Sequence, residues 1–254
     1  MRGLRDKGVL ISGGTSGIGL AGAERFLEEG CRVFVAGLEP GEVDAAVAVL
    51  AQRGRVTGMA CDVSNPDDVV RLIEAAEDAL GGVDILINNA GTARRDQFLD
   101  IALADWDRIL AVNLRGMFLV AQAVSRRMAE RGRGVIVNMA STNAMAGEEE
   151  FAHYNASKGG VLQLTRTMAT ELGRRGIRVN ALCPGYIRTP LNDAISAQLG
   201  AEQFEAGYVA SRIPLGRAGR ADEVAAAYAF LASDDASFVH GAALVIDGGQ
   251  LAVM

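Results

Sequence analysis

Seven short apolar runs, separated by longer stretches of helical periodicity, constrain this chain more than any other feature. Residues 9–12, 32–37, 56–60, 85–88, 135–139, 179–183 and 243–246 read as strands. They are nearly continuously apolar, as strands buried on both faces should be. Between them, 18–29, 43–53, 67–80, 106–131, 154–174 and 221–231 read as helices. The third starts cleanly: Ser64-Asn65-Pro66-Asp67 offers a cap and an early proline. Strands alternating with helices demand crossover units, hence a parallel sheet covered by helices on both faces. The alternation runs to Ile246 without a linker or repeat, which predicts one domain over 1–254. Its one interruption, 185–219, has no strand and only weak helical patterns at 191–199 and 202–211. Long segments of that kind inside a compact domain usually serve as lids or binding loops.

Composition narrows the function. Apolar residues make up 50% of the 254, enough for a large core and too many for disorder. The formal net charge is −6 with no basic block, which argues against a nucleic-acid partner, since phosphate neutralisation takes clustered Lys and Arg. The most apolar long stretch, 111–124, is broken by Asn113, Arg115 and Gln122, so no membrane span is expected. After Arg2, Arg5 and Lys7 only Val9-Leu10-Ile11 precedes glycines, too short a core for a secretory signal. Cys31, Cys61 and Cys183 have no redox or metal spacing, and His153 and His240 are the only imidazoles. Three reduced thiols, no metal and a cytoplasmic location are the expectation.

The first strand runs into Gly13-Gly14-Thr15-Ser16-Gly17-Ile18-Gly19 and then a helix. Glycines at such a turn let the backbone approach a pyrophosphate, and the helix N-terminus supplies free N–H groups and a positive dipole end. The spacing G-x-x-x-G-x-G differs from the general dinucleotide fingerprint, and a glycine turn can be purely structural. The strand–turn–helix context favours the cofactor reading.

Four motifs stand in register: Ser12-Gly13-x-x-x-Gly17-Ile18-Gly19, Asn88-Asn89-Ala90-Gly91, Tyr154-x-x-x-Lys158 and Pro184-Gly185. Together they resemble the short-chain dehydrogenase/reductase family over essentially the whole chain. Ser12 stands where the family usually has Thr, and its hydroxyl can make the same bonds. The resemblance implies a Rossmann-type, doubly wound α/β fold with a seven-stranded parallel sheet in the order 3-2-1-4-5-6-7. It also implies an NAD(P) cofactor across the strands' carboxyl ends. Ser12, Gly13, Thr15, Ser16, Gly17, Ile18 and Gly19 would then form the phosphate loop. Asp62 and Val63 match the pair at adenine, Asn89, Ala90 and Gly91 the adenosine ribose side, and Pro184, Gly185, Ile187 and Thr189 the nicotinamide side.

The choice between NAD(H) and NADP(H) turns on the end of the second strand. An acid there binds the ribose 2′-hydroxyl, whereas an Arg accommodates a 2′-phosphate. Family positions for the acid and the Arg hold Gly37 and Leu38 or Ser16 here. Glu39, 20 residues past Gly19, can reach the ribose or remain a solvated charge. No cation is in place to receive a phosphate, so NAD(H) is favoured over NADP(H).

Tyr154 and Lys158 are four residues apart in a helical pattern, hence on one face. A phenol of pKa about 10 is a poor base at neutral pH, and a neighbouring ammonium is expected to lower it. Such a pair on a helix surface is common and means little alone. Here Ser141 lies 13 residues earlier, past the fifth strand, where the family has a substrate-orienting serine. Asn113, a polar residue in an apolar helical stretch, matches a fourth catalytic member that holds a water between Lys158 and solvent. The implied reaction is hydride transfer between a nicotinamide cofactor and a secondary alcohol or ketone, with Tyr154 as general acid/base and Lys158 also on the nicotinamide ribose.

The substrate would sit between Ser141, Tyr154 and the 185–219 segment, with Phe151 against it. Glu148-Glu149-Glu150 reads as a solvated loop, or one Glu accepts hydrogen bonds from a polyhydroxylated or cationic substrate. Arg94 and Arg95 near the same rim suggest a carboxylate instead. Sugars, polyols, oxo-acyl compounds and other secondary alcohols stay open, and His153 reads as structural.

A non-catalytic dinucleotide-binding regulator is the alternative, although such proteins typically lack the Tyr or Lys. An epimerase on a longer version of the fold would need a C-terminal substrate unit, and eight residues follow Ile246. Assembly is expected too. Phe118, Val120, Val124, Val161, Leu164 and Met168 exceed what a sheet face needs, and the tail is the apolar Leu251-Ala252-Val253-Met254. Two isologous interfaces of that kind, paired as in relatives, give a homotetramer with 222 symmetry.

Overall fold

The computed structural model describes residues 1–197 and 201–253, without the side chains at 194, 196, 197 and 201–205. Strands β1 (Gly8–Ser12), β2 (Arg32–Gly37), β3 (Val56–Ala60), β4 (Ile85–Asn88), β5 (Gly134–Met139), β6 (Ile177–Pro184) and β7 (Ala243–Ile246) form one sheet. Its order is 3-2-1-4-5-6-7 and every pairing is parallel. Successive strand residues serve opposite faces: Val9 and Ile11 enter one apolar cluster with Phe26 and Tyr228, while Leu10 enters another with Leu72 and Val120. This two-sided burial explains the unbroken apolar strands, since each such side chain contributes about 1.5–3 kcal/mol when it leaves water.

The helices are α1 (Gly17–Glu28), α2 (Pro40–Leu50), α3 (Pro66–Leu80), α4 (Leu103–Leu110), α5 (Met117–Arg131), α6 (Ala152–Leu172), α7 (Pro190–Ala197), α8 (Ala201–Arg212) and α9 (Ala221–Ala232). Helices α1 and α9 carry the first cluster; α3 and α5 carry the second. Asn65 caps α3 by accepting from the Asp67 N–H at 2.9 Å, as its sequence predicts. The expected continuous helix over 106–131 is not continuous. Residues Ala111–Gly116 form a π-turn between α4 and α5, and Asn113 sits in it, fully buried. A π-turn inside a helix is rare and concentrates at functional sites.

The 185–219 segment leaves and returns at one point. Ile187 bridges Gly219, and the N–H groups of Arg188 and Gly219 bond the carbonyls of Gly219 and Tyr186. Between these ends it carries α7 and α8. The weak helical patterns were thus real helices, although Leu199, the expected end of the first, lies outside the described residues. Among the described residues no helix is long and apolar enough to cross a membrane.

Candidate active site

Sheet order fixes where a ligand can bind. Strands β1 and β4 are neighbours, and their connections leave in opposite directions, which opens a crevice at their carboxyl ends. Ser12 pairs with Asn88 in register at that edge. The Ser12 hydroxyl donates to Asn88 Oδ1 at 3.2 Å and accepts from the N–H groups of Asn89 and Ala90 at 3.0 and 3.1 Å. Asn89 Nδ2 donates to the carbonyls of Ser12 and Gly13, while its Oδ1 accepts from the buried Tyr228 hydroxyl at 3.0 Å. These bonds lock the glycine loop to the turn after β4.

A cleft of about 410 Å³ runs along this edge. It is lined by Gly13, Thr15, Ser16, Gly17, Ile18, Leu38, Asp62, Val63, Asn89, Ala90, Gly91, Tyr154, Lys158, Pro184, Gly185, Ile187 and Thr189, all expected at the cofactor. Two expected contacts lie elsewhere. Ser12 is buried beneath the loop as its clamp, and a side chain at Gly19 would overlap the Gly13 carbonyl, so Gly19 allows helix to pack on loop. Glu39 does not line the cleft either, whereas Glu42 does. Helix α2 starts at Pro40 rather than at residue 43, which carries Glu42 into its first turn.

The cleft fits a dinucleotide. Helix α1 starts at its wall with Ser16 as a cap residue whose side chain makes no capping bond, and with no acid in the first turn. That leaves N–H groups and a positive dipole end for a pyrophosphate. A side chain at Gly13 would stand 2.8 Å from the Ala90 Cα, so only glycine keeps this approach open.

At the other end of the cleft stand Ser141, Tyr154 and Lys158. Ser141 leaves β5 and caps the short turn Thr142–Ala144, accepting from the Asn143 N–H at 3.1 Å. Tyr154 and Lys158 lie on the first turns of α6, with the ammonium 5.6 Å from the phenol ring centre. Lys158 is buried and donates to the Met139 carbonyl at 2.8 Å. Burial pushes the Tyr154 phenol up to about 12, against a lowering by its hydrogen bond with Ser141, and Glu148 adds to the rise. Burial likewise pulls Lys158 down to about 8. The expected lowering of the phenol by Lys158 does not appear: desolvation dominates, and the opposing influence is the Ser141 hydrogen bond.

Asn113 braces rather than lines. Its Oδ1 accepts from the Thr92 N–H at 2.8 Å, and its Nδ2 donates to the Thr92 carbonyl and to Ser157 Oγ, at 2.8 and 3.1 Å. Its amide oxygen and amide nitrogen thus tie the turn after Gly91 to the face of α6 that carries Tyr154.

A smaller pocket of about 90 Å³ adjoins Ser141 and Tyr154. Phe151 lines it, as expected, edge-on to Tyr154. Asn143, Tyr186, Asn192, Tyr208 and Gln250 also line it and were not foreseen, because they come from four separate segments. The opposed charges face each other: Arg95 pairs with Glu150, and Arg94 with Asp96 and Asp105, and neither arginine is among the described residues lining the pocket. His153 is buried against Asp96 at 3.2 Å, a structural role as expected.

A parallel sheet with its crevice at the β1–β4 switch, and Tyr and Lys at the end of that crevice, defines a dinucleotide-dependent oxidoreductase as the class. The family model described as Enoyl-(Acyl carrier protein) reductase matches residues 13–250. The chain is 39% identical over 252 residues to 2-(S)-hydroxypropyl-CoM dehydrogenase 3 of Xanthobacter autotrophicus, covering 98% of each. It is 40% identical over 250 residues to D-threitol dehydrogenase of Mycolicibacterium smegmatis, covering 97% of this chain and 93% of that one. The crystal structure of levodione reductase superposes with a TM-score of 0.95 at 36% identity, over 98% of this chain and 99% of that one. The chain belongs to the short-chain dehydrogenase/reductase family, whose members bind NAD(H) or NADP(H), and is an oxidoreductase acting on CH–OH groups.

Proposed function

We propose that Ser141, Tyr154 and Lys158 interconvert a small secondary alcohol and its ketone, with Asn113 as their positioning residue and NAD(H) as the preferred cofactor. The observation that carries this reading is the convergence of the three side chains at one end of a cleft whose other parts fit a dinucleotide. A nicotinamide cofactor held in this cleft would supply the hydride chemistry. Gly13–Ile18 would hold its pyrophosphate, Asp62 and Val63 the adenine, Ile187 and Thr189 the carboxamide, and Lys158 the ribose.

In oxidation, Ser141 Oγ bonds the substrate oxygen and Tyr154 takes the hydroxyl proton as the carbinol C–H departs with its electron pair. In reduction, Tyr154 returns the proton. With its phenol pushed up to about 12, Tyr154 is protonated at neutral pH and ready as the acid. To act as the base it needs the Lys158 ammonium, so oxidation should gain with pH until that charge is lost. Asn113 Oδ1 accepts one of the two hydrogen bonds it can take, from the Thr92 N–H, so a water between Lys158 and solvent would have its second acceptor position.

NAD(H) preference rests on the β2 end of the cleft, where Thr15, Ser16, Gly37, Leu38 and Glu42 line the wall; the cations among the described lining residues are Arg108 on α4 and Lys158 on α6. A 2′-phosphate beside Glu42 would be repelled. Rates with both cofactors, over a panel of secondary alcohols and ketones, test this reading. Higher kcat/KM with NAD(H) is expected. A tenfold preference for NADP(H), about 1.4 kcal/mol, contradicts the cofactor choice.

We also propose a homotetramer and a cytoplasmic location. Leu110, Leu114, Phe118 and Leu164 line an open groove on α4, the π-turn, α5 and α6. Val120, Val124 and Val161 are no part of it, being core residues within the monomer. The three cysteines are free and buried, which suits a reducing compartment.

A further inference from the structure

The pocket beside Ser141 and Tyr154 has, among the described residues, one carboxylate in its wall and no cationic side chain. That carboxylate is Glu148. Its Oε1 accepts from the Tyr208 hydroxyl at 3.0 Å and its Oε2 from Asn143 Nδ2 at 2.9 Å. Its main-chain carbonyl accepts from Asn155 Nδ2 at 2.9 Å. Behind Tyr208 stands the buried Gln250, whose Nε2 donates to the same hydroxyl at 2.9 Å and whose Oε1 accepts from the Tyr186 N–H at 3.3 Å. Gln250 thus makes the Tyr208 hydroxyl a donor toward Glu148, and the carboxylate is held from helix α8, the tail and the loop after β5 at once.

A carboxylate has about four acceptor positions. Two donors fill two of them, so Glu148 keeps acceptor capacity at a wall it shares with Asn143, Phe151, Asn192 and the reacting pair. Among the described residues nothing cationic lines the pocket to neutralise a second anion there. Arg212 lies 5.5 Å from the Tyr208 ring, and Arg94 and Arg95 are engaged by Asp96, Asp105 and Glu150 at the rim. The space is about 90 Å³, room for a few carbon atoms with their hydroxyls.

We propose that Glu148 selects the substrate: a compact, uncharged polyhydroxylated alcohol or its ketone, with a hydroxyl near the reacting carbinol donating to the Glu148 carboxylate, while carboxylate-bearing substrates of the same skeleton are repelled. This rests on the proposed oxidoreductase reading of the same site and names its substrate class. It gives Glu148 a role outside proton transfer, as a specificity-determining residue.

The test compares four-carbon and five-carbon alditols with the aldonates of the same configuration, in the NAD+-saturated enzyme, by nicotinamide absorbance. Secondary mono-alcohols serve as a neutral control. The wild type should favour alditol over aldonate by at least a hundredfold in kcat/KM. Glu148→Gln, which keeps the shape and drops the charge, should narrow that ratio by tenfold or more. Tyr208→Phe removes a donor from Glu148 but not its charge, and should leave the ratio within threefold of wild type. Calorimetric titration of the enzyme–NADH complex with alditol and aldonate gives the same ordering without turnover. Equal or better use or binding of the aldonate by the wild type, or an unchanged ratio in Glu148→Gln, overturns the proposal. Turnover of mono-alcohols with no alditol preference sinks this assignment alone, whereas absence of turnover on every carbinol, with alditol still bound in preference, sinks the oxidoreductase mechanism and leaves the selectivity standing.

Discussion

In the proposed mechanism the two titrating groups of the site are displaced by the same force in opposite chemical senses. Burial favours the neutral form of each, raising the Tyr154 phenol and lowering the Lys158 ammonium. The lysine shift has a consequence for stability. Folded Lys158 loses its proton near 8, whereas the unfolded chain holds it to the ordinary 10.5. Between those values the unfolded state binds more protons, so this group's contribution to stability rises with pH across that window. Lys158→Met removes the buried charge. The variant should therefore be more stable than wild type at about pH 7, with the gap closing toward about pH 10. Denaturant titrations at the two pH values measure it, and a gap independent of pH contradicts the lowered lysine. The same variant should lose cofactor affinity, since the ribose contact goes with the ammonium. At this scale the side chains of the proposed mechanism were readable as candidates because they lie in local motifs. Glu42 was not, because its place in the cleft follows from Pro40 starting α2 three residues early.

The π-turn Ala111–Gly116 is the element on which the site's shape depends. It rotates Asn113 inward to hold both the N–H and the carbonyl of Thr92, next to Gly91 at the cleft, and Ser157 on α6. Apolar periodicity across 106–131 does not reveal such a turn, since one extra residue in a turn barely changes which residues are apolar. The only trace in the sequence is the buried polar residue itself. Asn113→Leu fills the space but leaves the Thr92 groups unpaired, at a cost of about 1–3 kcal/mol each. A lower denaturation midpoint, together with a kcat reduced more than tenfold, is expected. Unchanged kcat would show that the Thr92 turn holds without it. Strand positions, by contrast, were legible, because two-sided burial writes the inner strands as largely apolar runs, while the sheet order came from the family resemblance. The Glu148–Tyr208–Gln250 chain was invisible because its members lie 60 and 42 residues apart.

For the whole molecule, the open apolar groove along α4, the π-turn, α5 and α6 is the surface that argues for assembly. Phe118 is exposed within this groove, and Phe98, Leu99, Leu103 and Phe238 are exposed elsewhere. Four copies with two distinct interfaces are expected, so light scattering at micromolar concentration should give about four times the chain mass of 26.6 kDa. A mass of one chain refutes assembly, and twice the chain mass leaves one interface. The sequence exaggerated this surface by including Val120, Val124 and Val161, whose periodicity on a helix does not say whether sheet or partner covers them.

The central claim is that Tyr154 transfers the proton. The most direct measurement is the initial rate of nicotinamide reduction by a secondary alcohol in wild type and Tyr154→Phe, with cofactor binding followed in the same samples. Removing only the hydroxyl should leave cofactor affinity within about threefold and cut kcat by about a thousandfold, within the 10²–10⁴ expected for a general acid/base. A variant that keeps a tenth of wild-type kcat, with its cofactor bound, contradicts the assignment.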